Sequence, residues 1–227
     1  MGAAITADFR FVKQPVIWQT AAEMIETIQK DRGSVIDVPI GLTSDGSGVR
    51  KCEPEARKRL GKKGSSIFSP PMREALYAES YLEAKSINFK FCGKKISKQS
   101  WNIIPQIKDV DRILSRNPAL QTNLRESHPE LCFCMLNSRA PIFENKKTTR
   151  GRALRLAILE KLTANARAYF TKNKDLFLRK DAGEDDIVDA MILAYVAAFG
   201  AQNGFSSIPE KPEYDSCGLR MEMVFAE

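Results

Sequence analysis

Residues 184–199 constrain this chain more than any other segment. Asp185, Asp186 and Asp189 stand at the head of the longest strongly apolar run, residues 190–199. The run is too short to span a bilayer. It reads as a helix, and its apolar side chains need protein to pack against. On a helix, residues three and four apart share a face. Asp186 and Asp189 then project together, with Asp185 near Asp189. Carboxylates clustered at the mouth of a buried helix repel one another, and a hard divalent cation, Mg²⁺ or Mn²⁺, relieves that repulsion. Complementation of the helix dipole, at ~0.3–1 kcal/mol, is the competing explanation. It accounts for Asp185 and Asp186 better than for Asp189, which lies a turn inside.

Two further acidic positions sit where strands end. Residues 34–38 form a short β-branched run, read as a buried strand, and Asp37 lies near its end, ahead of Pro39. Ligands in α/β sheets gather at the carboxyl ends of strands, and a carboxylate there is costly unless paired or metal-bound. A turn-capping role before Pro39 is the plainer alternative. Glu126-Ser127-His128-Pro129-Glu130 follows a second short strand and holds the only histidine of the chain. Glu130 in turn favours the N-terminus of the next helix.

The rest of the pattern alternates the two element types. Strands are expected over 4–12, 16–18, 34–38, 123–127 and 219–225. Helices are expected from Thr20, with Glu23 completing a capping box, and over 53–60, 71–86, 97–115, 129–136, 147–170 and 184–199. Residues 61–70 read as a loop, and Pro105 should kink its helix or mark a start. Strands interleaved with helices indicate an α/β domain, and 227 residues fit a single one spanning 1–227.

Charge is distributed unevenly. Residues 50–155 hold 23 Lys/Arg against 10 Asp/Glu, whereas the remainder holds 12 against 18. A basic, helix-rich central region therefore lies between acidic ends. Phosphodiester backbones need cationic positioning, which points to nucleic acid as partner and to Lys147, Arg150, Arg152 and Arg155 as phosphate contacts. Neither a Walker pattern nor GxGxxG occurs, which argues against a nucleotide-binding phosphotransferase. The five cysteines are odd in number and scattered, and the N-terminus lacks a signal-like apolar core. They read as free thiols in a reducing cytoplasm, with no membrane association.

Several blocks occur in a recognisable order. Asp37-Val38-Pro39-Ile40-Gly41-Leu42 comes first, then Arg50 with Cys52, Ala56-Arg57, and Ser66-Ile67-Phe68. Glu126 with His128-Pro129-Glu130 follows, then Lys146-Lys147-Thr148, Gly151-Arg152, Asp185-Asp186 with Asp189-Ala190, and Gly218-Leu219-Arg220-Met221. These blocks resemble a family described as predicted RNase H-like nucleases, formerly a domain of unknown function. The resemblance implies an RNase H-like mixed sheet flanked by helices, with acidic residues holding two Mg²⁺ ions. Asp37 resembles the central-strand carboxylate of that superfamily. Asp186 and Asp189 resemble the DxxD pair on its last helix. Members of the family usually open with a strand carrying an Asp-Gly pair. That strand is expected to be missing or truncated here: either the real start lies upstream, or the protein lacks one core strand, which would expose neighbouring strand edges, and one carboxylate, which would weaken a metal site.

The expected function is a metal-dependent nuclease or phosphodiesterase working by a two-metal mechanism. Asp37, Asp186 and Asp189 are the expected ligands, with Glu126 a fourth. His128 is expected to orient water or protonate the leaving group. The rival is a catalytically decayed nucleic-acid-binding module, and the more distant alternative a phosphotransferase.

Overall fold

The computed structural model describes residues 1–29, 31–44 and 49–227. At the N-terminus β1 (Gly2–Ile5) and β2 (Phe11–Val16) pair antiparallel. The single strand expected over 4–12 is broken by a turn in which the Phe9 N–H donates to the Thr6 carbonyl, with Phe9 at φ 54°. Thr20 then caps α1 (Ala21–Ile28) by accepting the Glu23 N–H, while the Glu23 carboxylate accepts the Gln19 N–H. The expected capping signal at Thr20 is thus met. β3 (Ser34–Ile36) follows.

The basic region is helical, as its composition suggested. It contains α2 (Cys52–Leu60), 3₁₀ segments over Gly61–Ser66 and Arg73–Tyr77, and α3 (Tyr81–Cys92). The one helix expected over 71–86 divides because Ser80 is extended and caps α3 through the Glu83 N–H. α4 (Lys98–Asn102) and α5 (Ile104–Arg116) come next. Pro105 lies in the first turn of α5, where its missing N–H leaves no hydrogen bond unmade. After α6 (Pro118–Asn123), β4 (Leu124–Glu126) pairs parallel with β3 in the register Ser34↔Leu124, Ile36↔Glu126.

α7 (Pro129–Leu136), α8 (Thr149–Leu162), α9 (Ala166–Asn173) and α10 (Glu184–Asn203) complete the helices, and β5 (Ser206–Tyr214) with β6 (Arg220–Phe225) closes the chain. The long helix expected over 147–170 is two helices. Asn165, at their junction, exchanges two hydrogen bonds with the Phe11 backbone instead of continuing the helix. β5 has no counterpart among the expected strands, because Pro209 and Pro212 interrupt its pattern. The chain is a mixed α/β protein with ten α-helices and three two-stranded sheets among the described residues.

α10 is the centre of the core. It packs on β1, β3, α7 and α8, and Ile187, Val188, Met191, Ile192 and Val196 are fully buried along it. Each such side chain contributes about 1.5–3 kcal/mol. Together they outweigh the several kcal/mol that drawing one carboxylate, Asp189, inward costs. β6 lies beside β4, tied by an Arg125–Glu222 ion pair of 2.6 Å and by the Ser127 hydroxyl on the Val224 carbonyl. Among the described residues no helix is long and apolar enough to cross a membrane.

Candidate functional site

The parallel pairing of β3 and β4 brings two sequence-distant motifs together. Their carboxyl ends point the same way, and the Ser127 N–H donates to the Ile36 carbonyl at 2.9 Å, one step past the last paired residues. Asp37 and His128 therefore leave the sheet side by side. His128 is the N-cap residue of α7. Behind them, α10 enters the core at its acidic end and delivers Asp189.

A fourth group completes the cluster. The Lys146 ammonium lies 2.5 Å from Asp189 Oδ2 and also feels the charges of Asp185 and Asp37. The loop carrying it is held locally. Asn145 accepts the Thr148 N–H and hydroxyl through its carbonyl and the Lys147 N–H through its side chain. Gly151 is required there, because a Cβ would fall 2.0 Å from the Asn145 carbonyl oxygen.

The electrostatics are those of a dense, partly open site. Asp37 is open to solvent, yet the protein around it pushes its carboxyl up to about 6, against the pull of Lys146. Burial pushes Asp189 up to about 7, with Lys146 opposing and Asp37 and Glu130 adding to the rise. Burial lowers His128 to about 4, so its imidazole is neutral at pH 7. Two buried polar atoms in this cluster, Asp189 Oδ1 and His128 Nδ1, have no hydrogen-bond partner. Cys132 stands beside them, its thiol 3.0 Å from the Ser127 hydroxyl and driven by burial to about 12, far from any thiolate.

Not every expected site residue joins this cluster. Asp186 is exposed and accepts the Gly183 N–H at 2.8 Å, closing the start of α10. Asp185, one residue earlier, is the one that interacts with Lys146. Glu126 is buried in a different group. It accepts the Arg50 guanidinium at 2.5 Å and the Ile40 N–H at 2.6 Å, and Arg50 also contacts Glu53 and the Gly41 carbonyl. Glu126 thus fastens the turn after Asp37. Glu130, four residues on, is the carboxylate that faces Asp189 and His128.

The expected phosphate contacts divide in the same way. Lys147 is exposed, and Arg150 is exposed with a loose 3.3 Å pair to Glu144. Arg152 pairs with Glu184 at 3.0 Å and is mostly covered. Arg155 is enclosed. Its Nη2 holds both oxygens of Glu130, at 2.6 and 2.8 Å, and its Nη1 holds the Glu144 and Gly151 carbonyls. It is a positioning residue for Glu130 and the Lys146 loop rather than a rim cation. In sequence Lys146 belongs to a basic run and to the Lys146-Lys147-Thr148 block, and neither marks it as the residue that turns inward.

A mixed α/β protein with an acid–imidazole–ammonium cluster at the ends of two parallel strands is the class that fold and site define. The profile of one family, described as "Protein of unknown function (DUF429)", matches residues 2–214, and the chain belongs to that family. No curated protein and no solved structure matches it.

Proposed function

We propose that the chain is a metal-dependent phosphodiesterase acting on nucleic acid and built on an RNase H-like plan. One observation carries this reading. Asp37, open to solvent, adjoins Asp189, whose Oδ1 is buried without a donor. A buried lone pair without a proton donor is costly, and a hard cation satisfies it as well as a proton does. Among the described residues no three His, Cys, Asp or Glu side chains converge as a ready-made cation site; Asp37 and Asp189 would hold Mg²⁺ or Mn²⁺ only as a pair, with water and substrate oxygens supplying the remaining ligands. Such an ion supplies Lewis-acid activation of water and charge stabilisation at the leaving oxygen.

The remaining roles follow from the chain's own residues. Neutral His128 is suited to accept a hydrogen bond from the attacking water and so orient it, whereas burial, which disfavours its protonated form, leaves it unsuited to protonate the leaving group. Lys146 holds Asp189 in place and opposes the upward pull of burial on its carboxyl. Lys147 and Arg150, on the open side of the loop, position phosphates. The test is Mg²⁺- or Mn²⁺-dependent cleavage of labelled single- and double-stranded DNA and RNA. Wild type is expected to cut at least one of these and Asp189→Asn none. A wild type inert on all four sinks the reading.

A second reading rests on Lys146 itself. Its ammonium already neutralises Asp189, as a decayed site would require. The protein would then bind nucleic acid without cleaving it. Salt-sensitive binding with no metal-dependent turnover is its signature.

A further inference from the structure

The basic region contains a second recess that does not involve the carboxylates. A cleft of about 250 Å³ opens between α2 and the segment following α3. Arg57, Lys94, Lys95 and the hydroxyl residues Ser69 and Ser97 line its polar side, and Phe68, Met72 and Ile96 its apolar side. The Arg57 fork is pre-set, with Nε on the Ile67 carbonyl at 2.8 Å and Nη2 on the Ser69 hydroxyl at 2.9 Å. Among the lining residues the one carboxylate, Glu53, is already paired with Arg50 at 3.2 Å.

The surface leading away from the cleft carries rings and ammonium groups together. Residues 81–98 hold five lysines and a single acid, Glu83. Glu83 is spent at the start of α3, where it accepts the Glu79 N–H at 2.7 Å. Phe89 is 53% and Tyr77 64% exposed. Lys95 lies over the Phe89 ring at 5.8 Å, Lys98 over Tyr81 at 3.9 Å and Lys108 over Tyr77 at 4.7 Å. Alternating cations and exposed rings match the two needs of an unpaired strand, phosphate neutralisation and base stacking. A phosphate attracts an ammonium more strongly than a ring face does. Binding would draw the lysines onto phosphates and free the rings for bases. A duplex has no free base faces to offer these rings.

We propose that α3 and the 94–98 segment bind single-stranded nucleic acid, with one phosphate seated in the cleft between Arg57 and Lys94–Lys95 and a base against the exposed Phe89 ring. This deepens the nucleic-acid reading above, on which it rests, by placing the strand. Its test is binding in EDTA rather than cleavage, so the two fail separately.

The experiment is fluorescence anisotropy with a short labelled oligonucleotide, as single strand and as duplex, over a series of salt concentrations. Wild type is expected to prefer the single strand. Lys94→Ala/Lys95→Ala/Lys98→Ala is expected to weaken binding at least about tenfold and to reduce the salt slope by about 2. Phe89→Ala, at an exposed position, is expected to weaken binding about fivefold or more with the salt slope unchanged. Melting curves on each variant control for folding. Four results each overturn the proposal: no binding to the single strand at low salt, preference for duplex, wild-type affinity in both surface variants, or capture by anionic vesicles in place of the oligonucleotide.

Discussion

Lys146 and Asp189 meet at 2.5 Å across 43 residues of sequence, and their contact joins the α8 loop to the first turns of the central helix. The pair has the net charge of a neutral plug in a carboxylate pocket. If a divalent cation and the Lys146 ammonium compete for the same carboxylates, removing the ammonium should reveal it. Lys146→Met is expected to cost about 1–2 kcal/mol in urea unfolding without metal. That is below the ~3–5 of a fully buried pair, because Lys146 keeps a third of its side chain in solvent. Adding Mg²⁺ should raise the melting temperature of Lys146→Met more than that of wild type. Equal shifts in the two proteins would show that the carboxylates do not share a cation with the lysine.

Asp186 and Asp189 of α10 should differ sharply in consequence. Asp189→Asn is expected to remove metal-dependent cleavage. Asp186→Asn should leave it and lower stability by only about 0.5–1 kcal/mol, because Asp186 accepts one backbone N–H at the helix start. Measuring cleavage and urea unfolding on both variants separates the two roles. Greater loss of cleavage in Asp186→Asn would move the active carboxylate to the exposed face.

Helical spacing alone treats Asp185/Asp189 and Asp186/Asp189 as equivalent neighbours. What divides them is local. Gly183 offers its N–H to Asp186 and not to Asp185, and a capping bond of this kind depends on backbone geometry that spacing does not encode. Asp37 and His128 stand out in the sequence because each follows a short strand-like run, and the parallel register of β3 and β4 sets the two strand ends side by side. Glu126 and Glu130 were not separable in the same way. The first lies on the strand and turns to Arg50, the second lies in the first turn of α7 and turns to Arg155. Both partners are remote in sequence. The division of α8 from α9 at Asn165 likewise depends on Phe11, 154 residues away.

Stability should depend on pH with two opposing contributions. Asp189 rises from an ordinary 3.8 to about 7 on folding, so the folded state holds its proton more tightly. Its contribution is fully present below pH ~4 and is lost as pH rises to about 7. His128 falls from 6.5 to about 4, so its contribution is present above pH ~6.5 and is lost as pH falls to about 4. Urea unfolding at several pH values checks both. The stability of wild type relative to Asp189→Asn should decrease from pH 4 to 7, and relative to His128→Asn should increase from pH 4 to 6.5. Parallel profiles for all three proteins would contradict the assigned shifts.

Gly151 links the helix start to the placement of Lys146. Gly151→Ala puts a methyl group 2.0 Å from the Asn145 carbonyl oxygen, which is backbone and cannot swing aside. The loop must move, at about 1–3 kcal/mol, and Lys146 with it. Lower stability is expected together with reduced cleavage. An unchanged unfolding midpoint would show that the loop yields freely.

Arg155 offers the clearest separation of structural from phosphate-binding roles. Its guanidinium is wholly enclosed and divides itself among Glu130 and two carbonyls. Arg155→Lys keeps the charge but cannot reproduce the fork that meets both Glu130 oxygens and the Glu144 and Gly151 carbonyls at once. Part of the network is left unpaired, and a loss of about 2–4 kcal/mol is expected, below the 3–5 expected on deleting the charge altogether. If Arg155 touched phosphate, the lysine variant would instead fold normally and bind nucleic acid with a salt slope near that of wild type, because the charge is retained. The structure predicts the reverse pattern. Arg155→Lys loses stability, whereas Arg150→Ala, at the exposed end of the same helix, keeps stability and lowers the salt slope by about 1. Urea unfolding and salt-dependent anisotropy on the two variants decide between these outcomes.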